Sequence, residues 1–204
     1  MNAAEITALL VFCSAMSFSP GPNTTLSAAL AANHGLRRAM RFCFAVPAGW
    51  TLMMLASGLG LGALVTGVPL LRWGVKLAGV GYMLWLAWKL SVTSRLVQAD
   101  HSRLNVSFSQ GVALQFLNIK AWMLALTLTA GWVVNAAGQP ATNPGQRLVI
   151  ICAVMALFAF TSNFSYALVG SLLREWLMQR RRLLWFNRLL ALVLVATAGW
   201  MALI

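Results

Sequence analysis

Six long apolar stretches follow one another along this chain, at about 5–32, 39–65, 69–91, 109–134, 147–171 and 183–203, with almost all charge between them or at their ends. A chain segment needs roughly 20 predominantly apolar residues to cross the hydrocarbon of a bilayer as an α-helix. With 60% of its 204 residues hydrophobic and 9% charged, the chain has too little polar surface to coat a water-soluble domain. The expectation is an all-α, polytopic membrane protein of six transmembrane helices, forming a single membrane domain over 1–204. Its first partner is the lipid bilayer.

The net charge of +12 is a membrane signature rather than a nucleic-acid one, because no soluble domain is left to carry a binding face. Arg37, Arg38, Arg41, Lys89, Arg95, Arg103, Arg174, Arg180, Arg181, Arg182 and Arg188 fall on one set of loops, and only Arg72, Lys76 and Arg147 on the other. Basic residues concentrate on cytoplasmic loops, so both termini are expected on the non-cytoplasmic side. The first stretch is preceded by Glu5 and no Lys or Arg, unlike a secretory leader, and is expected to be retained.

Three stretches lie on each side of a polar linker at about 91–107, which carries Arg95, Asp100, His101 and Arg103. An odd number of spans per half makes the halves, about 1–92 and 107–204, enter the membrane from opposite sides. They can then be related only as a 3+3 inverted repeat. The glycines of the second and third stretches (Gly58, Gly60, Gly62, Gly74, Gly79, Gly81) read as close helix contacts, and such small residues also allow a homodimer. Trp85, Trp88, Trp132, Trp176, Trp185 and Trp200 read as interfacial anchors.

The first stretch of each half is interrupted, one by Ser19-Pro20-Gly21-Pro22-Asn23 and the other by Gln115-Phe116-Leu117-Asn118-Ile119-Lys120. Lipid cannot satisfy an unwound backbone, so a broken helix persists only beside protein or a watery cavity. Paired breaks point to a transport site. Pro20 and Pro22 deprive the carbonyls of Met16 and Phe18 of their helical donors, which leaves them expected as free acceptors. Pro22 suits the first position of a new helix, whose unpaired N–H groups near Asn23 and Thr24 attract an anion. Acceptors for an ammonium beside donors for a carboxylate describe an amino-acid zwitterion; the competing reading is a structural proline kink.

Lys120 lies about 18 Å into its stretch, too deep for easy snorkelling. It is either a fixed cation for a carboxylate, a desolvated amine that carries protons, or a structural lysine paired with backbone carbonyls. Gln115 and Asn118 are close enough in sequence to share its surroundings. In the fifth stretch Thr161, Ser162, Asn163, Ser165 and Tyr166 either line a cavity or join helices, and Asn163 and Tyr166 enter the candidate substrate set with Pro20, Gly21, Pro22, Asn23, Thr24, Gln115, Asn118 and Lys120.

The acids are Glu5, Asp100 and Glu175, none deep in a span, so the coupling ion is unassigned, with a proton the first choice. His34 and His101 fall in expected loops with no nucleophile or carboxylate placed to join them, which argues against an enzyme. Cys13, Cys43 and Cys152 have no CxxC spacing, and the ten methionines are dispersed. No catalytic residue, metal set or cofactor is expected.

Across essentially its whole length the chain resembles the LysE/RhtB superfamily of bacterial amino-acid exporters. The resemblance rests on Ser19-Pro20-Gly21-Pro22-Asn23-Thr24, Asn33-His34-Gly35-Leu36-Arg37, residues 78–89 with Tyr82, Trp85 and Lys89, and Leu114 to Lys120. Where the family's second signature has proline the chain has Ile119, so the second break is expected to be softer than the first. Where many members carry aspartate after a glycine, Gly49 is followed by Trp50. Both departures are similar to the branch containing the cysteine/O-acetylserine exporter. The resemblance implies an ion-driven secondary transporter in the bacterial cytoplasmic (inner) membrane. It would export small neutral amino acids or derivatives, either cysteine/O-acetylserine-like or homoserine/threonine/leucine-like. The alternatives are a non-transporting membrane scaffold and a metal or cation exporter.

Overall fold

The structure is a computed structural model that describes residues 1–62, 67–93, 106–134, 140–177 and 181–203. Among these residues the regular structure is helical, apart from one isolated bridge between Val134 and Pro140. Arg95, Asp100, His101, Arg103 and Arg180 lie outside the described residues.

Helix α1 (Ala3–Phe18) opens on a reciprocal cap in which Asn2 Oδ1 accepts from the Glu5 amide and Glu5 accepts from the Asn2 amide. It stops because Ser19 precedes a proline, and such residues are pushed to extended backbone; Ser19 has ψ 134°. Helix α2 (Pro22–His34) restarts with proline at its first position. Gly35, at φ 83°, turns the chain into α3 (Leu36–Gly58), where a side chain would be strained. After α4 (Pro69–Ser91), α5 (Phe108–Phe116) begins with a Ser107/Gln110 capping box. Then come α6 (Ile119–Leu128), which runs into a wider π turn at Thr129–Val133, α7 (Pro144–Leu172), the short α8 (Arg174–Leu177) and α9 (Arg182–Leu203).

Among the described residues α3, α7 and α9 are long and apolar enough to cross a membrane. The bent pairs α1/α2 and α5/α6 each qualify when taken as one span, which makes up to five. Helix α4 matches the expected 69–91 in its bounds and has 23 residues, but Arg72, Lys76 and Lys89 lower its hydropathy and keep it out of that set. The second stretch is displaced from its expected 39–65: α3 starts at Leu36 and ends at Gly58, ahead of Gly60 at φ 94°.

Both expected breaks are present, but their relative sharpness is the reverse of the expectation. The chain bends by 51° between α1 and α2 and by 67° between α5 and α6. Proline is not required for the second bend, because Asn118 leaves the helical region at φ −95°, ψ 97°, and neighbouring groups take up the backbone there.

Helix α7 is the hub: α2 and α3 both pack along it, and the end of α1 touches it, while α3 also lies against α5. Helix α9 runs antiparallel to α4, with Asn187 near its start bonded to the Thr93 carbonyl and Met201 near its end beside Gly79. Glycines mark the tightest crossings. A Cβ on Gly49 would meet Val112 and Gln115, one on Gly170 would meet the Ala28 backbone, and one on Gly79 would fall on the Leu117 carbonyl oxygen. Gly58 and Gly62 also face side chains, whereas Gly74 and Gly81 face open space, so only part of the small-residue pattern serves packing within the chain.

The two ends of the bundle differ. At one, the ends of α2 and α4 meet the start of α9, and Asn33 and Asn187 exchange side-chain hydrogen bonds of 2.9 and 3.1 Å. Arg37, Arg38, Lys89, Arg174, Arg182 and Arg188 belong to helix termini at this end. At the other, Arg147 at the start of α7 forms an ion pair with Glu5 at 3.0 Å and reaches the Trp132 carbonyl at 3.2 Å. Trp132 donates to the Glu5 carbonyl, so it is a structural tie more than an interfacial anchor, while Trp85, Trp88, Trp176, Trp185 and Trp200 are exposed on the outside.

Candidate functional site

The break after α1 is held from three directions. The carbonyl of Met16 accepts from the Ser19 hydroxyl at 2.8 Å, that of Ser17 from Ser162 at 2.6 Å, and that of Phe18 from Tyr166 at 3.2 Å. Met16 and Phe18 are therefore not the free acceptors expected from the two prolines. A carbonyl stripped of its helical donor in an apolar setting is costly, and here nearby hydroxyls replace the donor. Ser162 and Tyr166, four residues apart, reach across from one face of α7. On the far side of the break, Thr24 Oγ1 accepts from the Gly21 amide at 3.0 Å and sets the first turn of α2. The first N–H groups of a helix have no partner within it, and Pro22 has none, so those of Asn23 and Thr24 head α2.

The second break is tied directly to the first. Asn23 donates to Gln115 Oε1 at 2.8 Å, and Gln115 returns a bond to Asn23 Oδ1 at 3.2 Å while also donating to the Gly111 carbonyl at 3.1 Å. Gln115 is fully buried. The indole of Trp122 caps the Phe116 carbonyl at 2.9 Å.

Between the breaks lies a cavity of about 70 Å³. Of the residues expected at the site, Gly21, Pro22, Asn23, Thr24, Asn118, Lys120 and Asn163 line it. Pro20, Gln115 and Tyr166 do not: Pro20 is exposed at the bend, and Gln115 and Tyr166 spend their polar groups holding the breaks in place. Asn163 serves both purposes, since its Oδ1 accepts from Ser27 at 2.8 Å and so joins α7 to α2. Thr161 and Ser165 bond to carbonyls of their own helix.

Sequence reading missed the rest of the lining. Ser17 and Ser19 contribute polar groups, and Val46, Trp50, Leu124 and Met155 contribute an apolar side. Proximity to the break was an available signal for the two serines. Trp50 carries one as well, since it stands where many members of the resembling family have aspartate.

Lys120 extends from the first turn of α6 to the opposite break, where its ammonium donates to the Ser19 hydroxyl at 3.2 Å and lies 5.9 Å from the Trp200 ring. Its partner is thus a side-chain hydroxyl that is itself anchored to Met16. The cavity has a cationic and donor-rich polar end, an apolar side, and no carboxylate among its lining residues. Among the described residues no group of three or more His, Cys, Asp or Glu gathers to hold a metal.

Comparison with known proteins gives a consistent result. Residues 14–203 match the family described as LysE type translocator. The chain is 30% identical over 202 residues to the cysteine/O-acetylserine efflux protein of Escherichia coli (strain K12), covering 97% of each. The same identity and coverage hold for the cysteine/O-acetylserine efflux protein of Shigella sonnei (strain Ss046). No solved structure matches.

Proposed function

The chain belongs to the LysE type translocator family, and we propose that it exports a small neutral amino acid or derivative across the bacterial inner membrane through the cavity between its two breaks. The observation that carries this reading is the cavity itself, which gathers the start of α2, Asn118 and Lys120 from two halves of the chain around one small volume. Cationic and dipolar donors suit a carboxylate, and the apolar side formed by Val46, Trp50, Leu124 and Met155 suits an uncharged side chain. A water-sized group needs about 10–15 Å³ of such space, so about 70 Å³ holds roughly five to seven of them. That suits a substrate with a small side chain.

Lys120 serves as the fixed cation, its ammonium held beside the cavity by the Ser19 hydroxyl, and a proton is the first choice of driving ion. The arrangement in the membrane is a 3+3 inverted repeat with α4 as the third span and both termini outside the cytoplasm. In its support, each half opens on a broken helix, α3 pairs with α7, α4 pairs with α9, and the basic helix ends share one end of the bundle.

The test is transport of radiolabelled L-cysteine and O-acetyl-L-serine into everted vesicles, comparing the natural chain with Lys120→Met at matched membrane levels. Transport by the natural chain and its loss by at least tenfold in the variant is expected. Absence of transport by the natural chain across a panel of amino acids would favour a membrane scaffold instead.

A further inference from the structure

Asn118 stands at the head of α6, where an asparagine ordinarily caps the helix with its side-chain oxygen, yet it makes no such bond. Its Oδ1 is buried and has no hydrogen-bond partner among the described residues, and the same is true of Ser17 Oγ. Both residues line the cavity. Buried polar atoms are almost always paired, so two unpaired acceptors on residues that line one cavity, each closed over by its surroundings, point to a polar group that reaches them when the cavity is filled.

The chemistry of the two orphans identifies what would complete them. An amide oxygen only accepts, so whatever meets Asn118 Oδ1 must bring a donor; a serine hydroxyl accepts and can also donate. The backbone acceptors expected from the two prolines, Met16 and Phe18, are already engaged by Ser19 and Tyr166. Opposite in character are Lys120 and the leading N–H groups of α2, which are donors only. A ligand matching both sets has a cationic donor and an anionic acceptor a short distance apart.

Resting on the amino-acid reading above, we propose that Asn118 Oδ1 and Ser17 Oγ receive the α-ammonium of the transported amino acid while its carboxylate lies toward Lys120 and the start of α2. The site then selects for the complete zwitterion and rejects a molecule that lacks the amine, because the two acceptors would stay buried and unpaired. Val46, Trp50, Leu124 and Met155 receive the side chain.

The experiment measures equilibrium binding of L-cysteine and of 3-mercaptopropionate, its analogue without the amine, to the purified full chain under reducing conditions. The natural chain is expected to prefer L-cysteine by roughly 10- to 100-fold, the range for a hydrogen bond to a charged group. Ser17→Ala and Asn118→Leu should each reduce that preference by about tenfold or more while 3-mercaptopropionate affinity stays unchanged. Asn118→Asp, which keeps an acceptor, should retain it. If Asn118→Leu does not fold, Ser17→Ala decides, since alanine is readily tolerated within α1. An undiminished preference in Ser17→Ala and Asn118→Leu overturns the assignment of the ammonium. A natural chain that binds neither probe nor any amino acid of the transport panel overturns the amino-acid reading on which it rests.

Discussion

Replacing Gly79 with alanine should damage the second break from a distance. A Cβ at Gly79 would land on the carbonyl oxygen of Leu117, and because that atom is backbone it cannot swing aside as a side chain would. Either α4 withdraws or the break moves, by on the order of 1 Å, and a gap of that size forfeits up to about half of each affected dispersion contact. Helix α4 is also packed along α9, with Met201 close to the same point, so the displacement is felt there too. Overpacking of this kind costs about 1–3 kcal/mol, and the better helix propensity of alanine returns up to about 1 kcal/mol. Measured against Gly81→Ala, which carries the same propensity gain, the loss is about 1–3 kcal/mol, a difference in Tm of roughly 2–12 °C for a chain of this size. The same helix supplies its own controls. A Cβ on Gly74 or Gly81 would meet nothing within 4 Å, so their alanine variants should match or exceed the natural chain. The assay is heating in detergent followed by size-exclusion detection of the surviving fold, with vesicle transport measured in parallel. Transport should fall more than stability in Gly79→Ala, since Leu117 adjoins Asn118. Indistinguishable melting and transport for Gly79→Ala and Gly81→Ala would refute the close-contact argument.

Two other perturbations probe the breaks themselves. Asn23→Ala and Gln115→Ala each remove one side of the reciprocal amide pair, and a double-mutant cycle should give a coupling of about 0.6 kcal/mol, up to about 1.7, in thermal unfolding; simple additivity would mean that the reciprocal pair contributes nothing. Pro20→Ala combined with Pro22→Ala should allow α1 and α2 to join as a straighter helix, at the expense of the Ser162 and Tyr166 bonds, with transport lost at normal membrane levels. Retained transport in that variant would show that the hydroxyls alone hold the bend.

Much of this architecture was legible because the signals are local. Apolar runs of span length and prolines around Gly21 report on backbone behaviour within a few residues, and the structure places helices and a break there. Lys120 was legible for a different reason: a charge among apolar residues requires a polar neighbour, whatever the fold. The partners were not legible. Nothing in the sequence near Gln115 points to Asn23, 92 positions away, and the pairing of Asn33 with Asn187 spans 154. The freed carbonyls failed as an expectation for two reasons: Met16 is taken by Ser19, a hydroxyl only three residues away, whereas Phe18 is taken by Tyr166 of α7, brought alongside only by tertiary packing.

The second break shows how a helix is bent without proline. A proline acts by subtraction: it removes a donor and crowds the preceding turn, so the chain straightens only at a cost. At Ile119 that device is absent, yet the bend is the sharper of the two. Here the device is competition. The Trp122 indole offers the Phe116 carbonyl a donor outside the helical ladder, Gln115 is drawn toward Asn23, and Leu117 fits only because Gly79 lacks a side chain. Each of these contacts belongs to a neighbouring element or to the next helix, so the second bend depends on its surroundings, whereas the first has its prolines built in. A site between two such breaks has one wall set by its own sequence and another set by packing. The positions of Asn118 and Lys120 are thus set in part by where α4 and α2 lie.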